Sequence, residues 1–120
     1  MPGKAVRLCV VIALLFVVSC ASENEKQLVG KWVLASKIIG SSPQSYWFKK
    51  NGDVVAPWQE HERALRSLGR YDVVNDTHLE LIMSKGYYKG ITFFYNIVNV
   101  DNNELILRGS IQDIKMKRVE

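Results

Sequence analysis

From Leu28 onward the sequence predicts an all-β domain, an up-and-down antiparallel meander of seven or eight short strands that closes into a small barrel. Three observations carry this prediction. Apolar and polar residues alternate with period two, turn-forming residues break the alternation at short intervals, and the intervals leave no room for crossover helices. One stretch, near residues 58–68, departs from the pattern and is expected to be a short helix or ordered excursion.

The chain before this domain reads as a targeting segment and a linker. Lys4 and Arg7 form a positive start, and Leu8 to Val18 is an uncharged apolar run of eleven residues. Eleven is too short for a membrane helix, which needs about twenty apolar residues to cross a hydrocarbon core of roughly 30 Å. Small Ser19 then precedes Cys20. Val17, Val18, Ser19 and Cys20 together resemble the lipobox of bacterial lipoproteins. That resemblance implies removal of residues 1–19 as a signal peptide and attachment of a diacylglycerol to the Cys20 thiol, with the new amine acylated. Two or three acyl chains, each contributing about 0.8 kcal/mol per buried methylene, would anchor the protein stably. Ala21 after Cys20, with no Asp there, resembles an outer-membrane address facing the periplasm. Residues 20–27 are polar and aperiodic and are expected to be a tether of at most roughly 25 Å.

Loss of Lys4 and Arg7 lowers the basic count from sixteen to fourteen against twelve acidic residues, so the mature net charge is only about +2. A nucleic-acid partner is not expected. No cysteine follows Cys20, so the domain of residues 28–120 has to be held by burial rather than by a disulfide.

Within the domain, Leu28, Gly30, Trp32, Leu34 and Ile38 share one face of the first strand. The second and third strands form a hairpin across a two-residue Asn51-Gly52 turn of type I′, which would pair Phe48 with Val55 and Tyr46 with Pro57. Trp47 would point the other way. Trp58, Leu65 and Leu68 recur at helical spacing before Gly69, read as a C-terminal stop. Next, Tyr71 and Val73 can share a buried face with Leu79, Leu81 and Met83 only if the intervening loop has three residues, Asn75 to Thr77. The same logic places Ile97 opposite Leu107 and Tyr95 opposite Gly109, across a three-residue loop of Asp101, Asn102 and a left-handed Asn103. The strand from Ile91 to Val100 is apolar on both faces and is expected to be covered on both, with the 58–68 excursion as its cover. A last strand, about Ile111 to Val119, turns Ile114 and Met116 to one side.

L-x-G-x-W at Leu28, Gly30 and Trp32, F-K-K-N-G-D from Phe48 to Asp53, Gly69-Arg70-Tyr71, and the spaced Tyr95, Ile97, Val100, Leu105 and Leu107 follow in order. Together they resemble the small lipocalin-like domains of bacterial lipoproteins. The resemblance implies that Trp32, entered through Gly30, plugs the closed end of the barrel beneath Arg118 of the last strand. The threonine-aspartate-tyrosine motif of that family is missing, and the chain is shorter than a full lipocalin.

An eight-stranded barrel is just wide enough to be filled by side chains or to hold one small ligand. Tyr46, Phe48, Tyr71, Leu81, Phe93 and Tyr95 are the candidate lining for a small hydrophobic or amphipathic ligand, and equally for a filled core. The alternative function is a structural or inhibitory module for another envelope protein, anchored by exposed apolar residues such as Trp47 or Phe94. Catalysis and a bound cofactor or metal are not expected. His61 and His78 lack a spaced ligand set, adjacent Glu60, His61 and Glu62 point apart on a helix, and Ser41, Ser42 and Ser45 have no G-x-S-x-G context.

Overall fold

A computed structural model describes residues 22–35 and 43–119. The eight strands are β1 (Gly30–Leu34), β2 (Ser45–Phe48), β3 (Asp53–Ala56), β4 (Ser67–Val74), β5 (His78–Gly86), β6 (Thr92–Val100), β7 (Glu104–Arg108) and β8 (Asp113–Arg118). They pair in sequence order, all antiparallel, and β8 returns to β1, so the barrel is closed. Among the described residues they are accompanied by two short helices, α1 (Glu23–Leu28) and a 3₁₀ helix (Glu60–Leu65). Residues 1–19, expected to be a signal peptide, Cys20 and Ile38 lie outside the described residues.

Alternation builds the wall. In β4 the buried positions are Ser67, Gly69 and Tyr71, and in β5 they are Leu79, Leu81 and Met83, with exposed or half-buried residues between them. The β4–β5 loop has the expected three residues. Asn75 and Asp76 take positive φ angles of 55° and 63°, and Tyr71 and Val73 face Leu81 and Leu79.

Two turns differ from the sequence reading. At β2–β3 the loop is Lys50, Asn51 and Gly52 rather than two residues: Lys49 N–H donates to Asp53 O, Gly52 N–H donates to Lys49 O, and Gly52 sits at φ +97°. Phe48 therefore faces Val54, and Trp47 faces Val55. Alternation could not choose between these registers, because Val54, Val55 and Ala56 are all apolar, and all three are buried.

At β6–β7 the Asp101 N–H donates to Glu104 O, so only Asn102 and Asn103 bridge the strands and Asn103 is not left-handed. The Asp101 carboxylate makes this turn, accepting from the N–H groups of Asn103 and Glu104 at 2.8 Å each. Those bonds hold its pKa below the ordinary carboxylate value. The shorter loop is offset by a bulge between Ile97 and Asn99, so Ile97 still faces Leu107. The bulge also turns Val100 inward, opposite Leu105 and against the core.

Three further expectations are corrected. Residues 23–28 are a capped helix, not an aperiodic tether, with Leu28 fully buried. Gly69 does not stop a helix. It lies at a bulge in β4, where a Cβ would come 2.2 Å from Ile82 O. The 58–68 excursion does contain a helix, but it leaves the outer face of β6 uncovered: Phe94 is 69% and Val98 46% exposed. The excursion is held instead at β1 and β2, through Trp58 Nε1 to Trp32 O at 3.1 Å and Trp58 N–H to Ser45 Oγ at 3.1 Å.

Candidate functional site

One end of the barrel is shut by Trp32. Gly30, at φ +138°, leads the chain from α1 into β1 in a conformation that side-chain-bearing residues avoid. Trp32 is fully buried, and its Nε1 donates to Leu28 O at 2.8 Å. The Arg118 guanidinium stands 4.2 Å from the ring centroid, close enough for cation–π attraction. Its N–H groups reach four carbonyls, those of Gln27, Val29, Asp101 and Asn102. One side chain thus ties together the helix, the tryptophan and the β6–β7 turn. Burial lowers the Arg118 pKa, and Asp101 opposes that shift.

All six candidate lining residues lie on the interior side. Tyr46 and Phe48 come from β2, Tyr71 from β4, Leu81 from β5, and Phe93 and Tyr95 from β6. The register brings them face to face: Tyr71 opposite Leu81, Leu81 opposite Phe93, and Leu79 opposite Tyr95. Their rings form a connected series. Phe48 meets Tyr71 edge-on at 5.0 Å, Tyr46 stacks on Phe48 at 5.7 Å, and Phe93 lies nearly parallel to Tyr95 at 6.3 Å.

Two polar features interrupt this apolar interior. The Tyr46 and Tyr95 hydroxyls are hydrogen bonded at 2.9 Å in a buried setting. Burial, then Tyr95, pushes the Tyr46 pKa well above its ordinary value, so the phenol stays neutral and available as a hydrogen-bond partner. Tyr71 donates to Lys49 O at 2.7 Å, and its pKa is pushed up to about 12, chiefly by burial and secondarily by Glu25.

At the opposite end sits Tyr88, which the sequence reading did not single out. It is 4% exposed, packs edge-on against Phe93 at 5.5 Å, and its N–H donates to the buried Ser67 Oγ at 2.7 Å. Gly86 and Gly90, both at positive φ, bracket the Tyr87-Tyr88-Lys89 segment. That glycine-bracketed tyrosine pair was the available signal.

On the outer wall, a pocket of about 290 Å³ is lined by His78, Glu80, Phe94, Asn96, Arg108 and Ser110, beside the β7–β8 turn. Arg108 is paired there with Asp113 at 3.0 Å. Trp47, a candidate partner anchor, is only half-exposed, with Lys31 and Lys49 Nζ at 4.6 and 4.4 Å from its ring centroid. Of the residues weighed for catalysis, His61 and His78 are both exposed, and Ser45 is buried. Ser41 and Ser42 lie outside the described residues.

No family model and no curated protein matches the sequence. Solved structures do match it. The crystal structure of a lipocalin-like protein from Bacteroides uniformis superposes with a TM-score of 0.55, covering 78% of this chain and 99% of that one at 15% identity. The domain has a lipocalin-like fold. An uncharacterized protein from Bacteroides eggerthii is similar, with a TM-score of 0.56, 14% identity, and coverage of 77% of this chain and 99% of the other. At such identities the likeness concerns the path of the chain and carries no ligand with it.

Proposed function

We propose that this chain is a lipid-anchored envelope protein, held through Cys20 in the outer membrane and facing the periplasm, whose barrel takes up a small hydrophobic or amphipathic molecule. The observation that carries the binding reading is the Tyr46–Tyr95 hydroxyl pair, set inside a continuous aromatic wall. Apolar rings supply contact area, and a small number of placed polar groups orient the guest. Two neutral phenols favour a ligand with a carbonyl, ether or hydroxyl group over one that must bury a charge. Because the rings are packed against one another, uptake requires them to part, and Tyr88 at the mouth is the group to move.

The test is native mass spectrometry of residues 22–120, secreted to the periplasm without lipid and purified without detergent. A discrete added mass that disappears on denaturation, and that is lost in Tyr95→Ala, is the expected result. A bare polypeptide mass even after incubation with envelope lipid extract would refute uptake.

A second reading, a module whose outer wall meets another envelope protein, is favoured by Phe94. Its ring is 69% exposed, beside the outer pocket. Loss of partner capture in Phe94→Ala, with no ligand mass in the parent chain, is the result that reading expects.

A further inference from the structure

Helix α1 is fastened to the same barrel end that Trp32 and Arg118 close. Ser22 caps it by accepting from the Glu25 N–H at 3.1 Å. The Asn24 N–H and Nδ2 donate to the Asp76 carboxylate and carbonyl at 3.0 and 2.6 Å, which bolts the helix to the β4–β5 turn. Leu28 is fully buried, and the carbonyls of Gln27 and Val29 are held by Arg118. A meander alternates its turns between two ends. The β2–β3, β4–β5 and β6–β7 turns therefore share the α1 end, and the β3–β4 connection with its 3₁₀ helix shares the mouth with the β5–β6 and β7–β8 connections.

This docking shortens the leash to the anchor. Cys20 precedes the Ser22 cap by two residues, a reach of at most about 7 Å. The mouth is much farther away. Nine residues of β5, at about 3.3 Å each and tilted by roughly 40°, separate the two ends by on the order of 20 Å.

We infer that the lipid on Cys20 seats the closed end of the barrel on the headgroup layer of its own membrane and turns the mouth away from that membrane. The inference rests on the lipid anchor proposed above. The surface fits its partner: the three closed-end turns read Lys50-Asn51-Gly52, Asn75-Asp76-Thr77 and Asp101-Asn102-Asn103, polar throughout and of both charge signs. Such a surface rests among headgroups and does not enter hydrocarbon. The mouth connections carry the large exposed apolar side chains Tyr87, Ile91 and Ile111, at 62%, 45% and 77% exposure. In this orientation they face the aqueous compartment, where a ligand or its donor would arrive. Helix α1 is thus the orienting device. Undocked, the ten residue steps from Cys20 to Gly30 would span up to about 35 Å and let the domain tumble.

The experiment uses the full chain, processed in cells, purified in detergent and reconstituted into phosphatidylcholine vesicles that contain headgroup spin-labelled lipid. A fluorophore is placed in turn at Lys50→Cys and Asn102→Cys on the closed end, and at Lys89→Cys and Ile111→Cys on the mouth. The expected result is several-fold stronger quenching at the first pair, with the contrast erased when Asn24→Ala and Asp76→Gly together release α1. Glycine at position 76 tolerates the positive φ while removing the carboxylate. Equal quenching at all four positions, or stronger quenching at the mouth, overturns the orientation while leaving the anchor in place. An intact mass without lipid on Cys20 overturns the anchor and the orientation with it.

Discussion

Replacing Arg118 with methionine keeps much of the stem's volume and removes the guanidinium, which tests whether this residue clamps the closed end. Four hydrogen bonds and one cation–π contact are lost. The bonds to Asn102 and Asp101 are exposed, and water replaces them at little cost. Those to Val29 and Gln27 are partly buried and charge-assisted, so they contribute about 1.5 kcal/mol each at the low end of the range for such bonds. The contact with Trp32 adds about 1 kcal/mol, and relief of the burial cost of the guanidinium returns part of the total. The expected loss is about 3 kcal/mol, read from urea unfolding followed by far-UV circular dichroism on residues 22–120. Arg118→Lys retains the charge but not the fork, so it should lose about 2 kcal/mol. Amide exchange should accelerate in α1 and at the β6–β7 turn before it does in β4 and β5. A loss under about 1 kcal/mol, or a lysine variant as stable as the parent, would refute the clamp.

Gly69→Ala should destabilise by about 3 kcal/mol, since its Cβ would press on Ile82 O at 2.2 Å and Met83 Cα at 2.8 Å, whereas Gly109→Ala, with nothing nearer than 3.5 Å, should change stability by less than about 1 kcal/mol; thermal melts of the two variants check the contrast. Tyr46→Phe and Tyr95→Phe each remove the same 2.9 Å bond, so the double variant should be more stable than the sum of single losses implies, by about 1 kcal/mol in a double-mutant cycle. Alkaline titration should weaken the fold. The folded pKa values of Tyr46 and Tyr71 are raised, so the native state keeps protons that the unfolded chain releases above about pH 10. Stability is then full below that pH and falls above it, by up to about 1.4 kcal/mol per pH unit from the buried Tyr46 and by less from the more solvent-screened Tyr71, whose contribution ends near pH 12; Tyr46→Phe should reduce the slope.

The sequence by itself determined the barrel, because period-two alternation between short turns permits few other closures, and a one-residue slip would expose a whole apolar face. It also determined the β4–β5 loop length, because only a three-residue loop sets Leu79, Leu81 and Met83 on the same face as Tyr71 and Val73. The six candidate residues each occupy the inward parity of their strands, but alternation did not single them out in β2 and β6, where Trp47 and Phe94 between them are as apolar as they are. Tertiary structure decided what alternation leaves degenerate. Val54, Val55 and Ala56 are apolar in either register, so turn geometry at Gly52 chose their partners. Ile97 kept Leu107 only because a bulge offset a turn shorter by one residue, and a bulge leaves no mark in an apolar run. The polar segment before Leu28 carries no periodicity, and it became a docked helix because Asp76 and Arg118, distant in sequence, offered partners for Asn24, Gln27 and Val29. Local pattern is written along the chain, whereas hydrogen bonds between remote segments exist only once the barrel has brought those segments together.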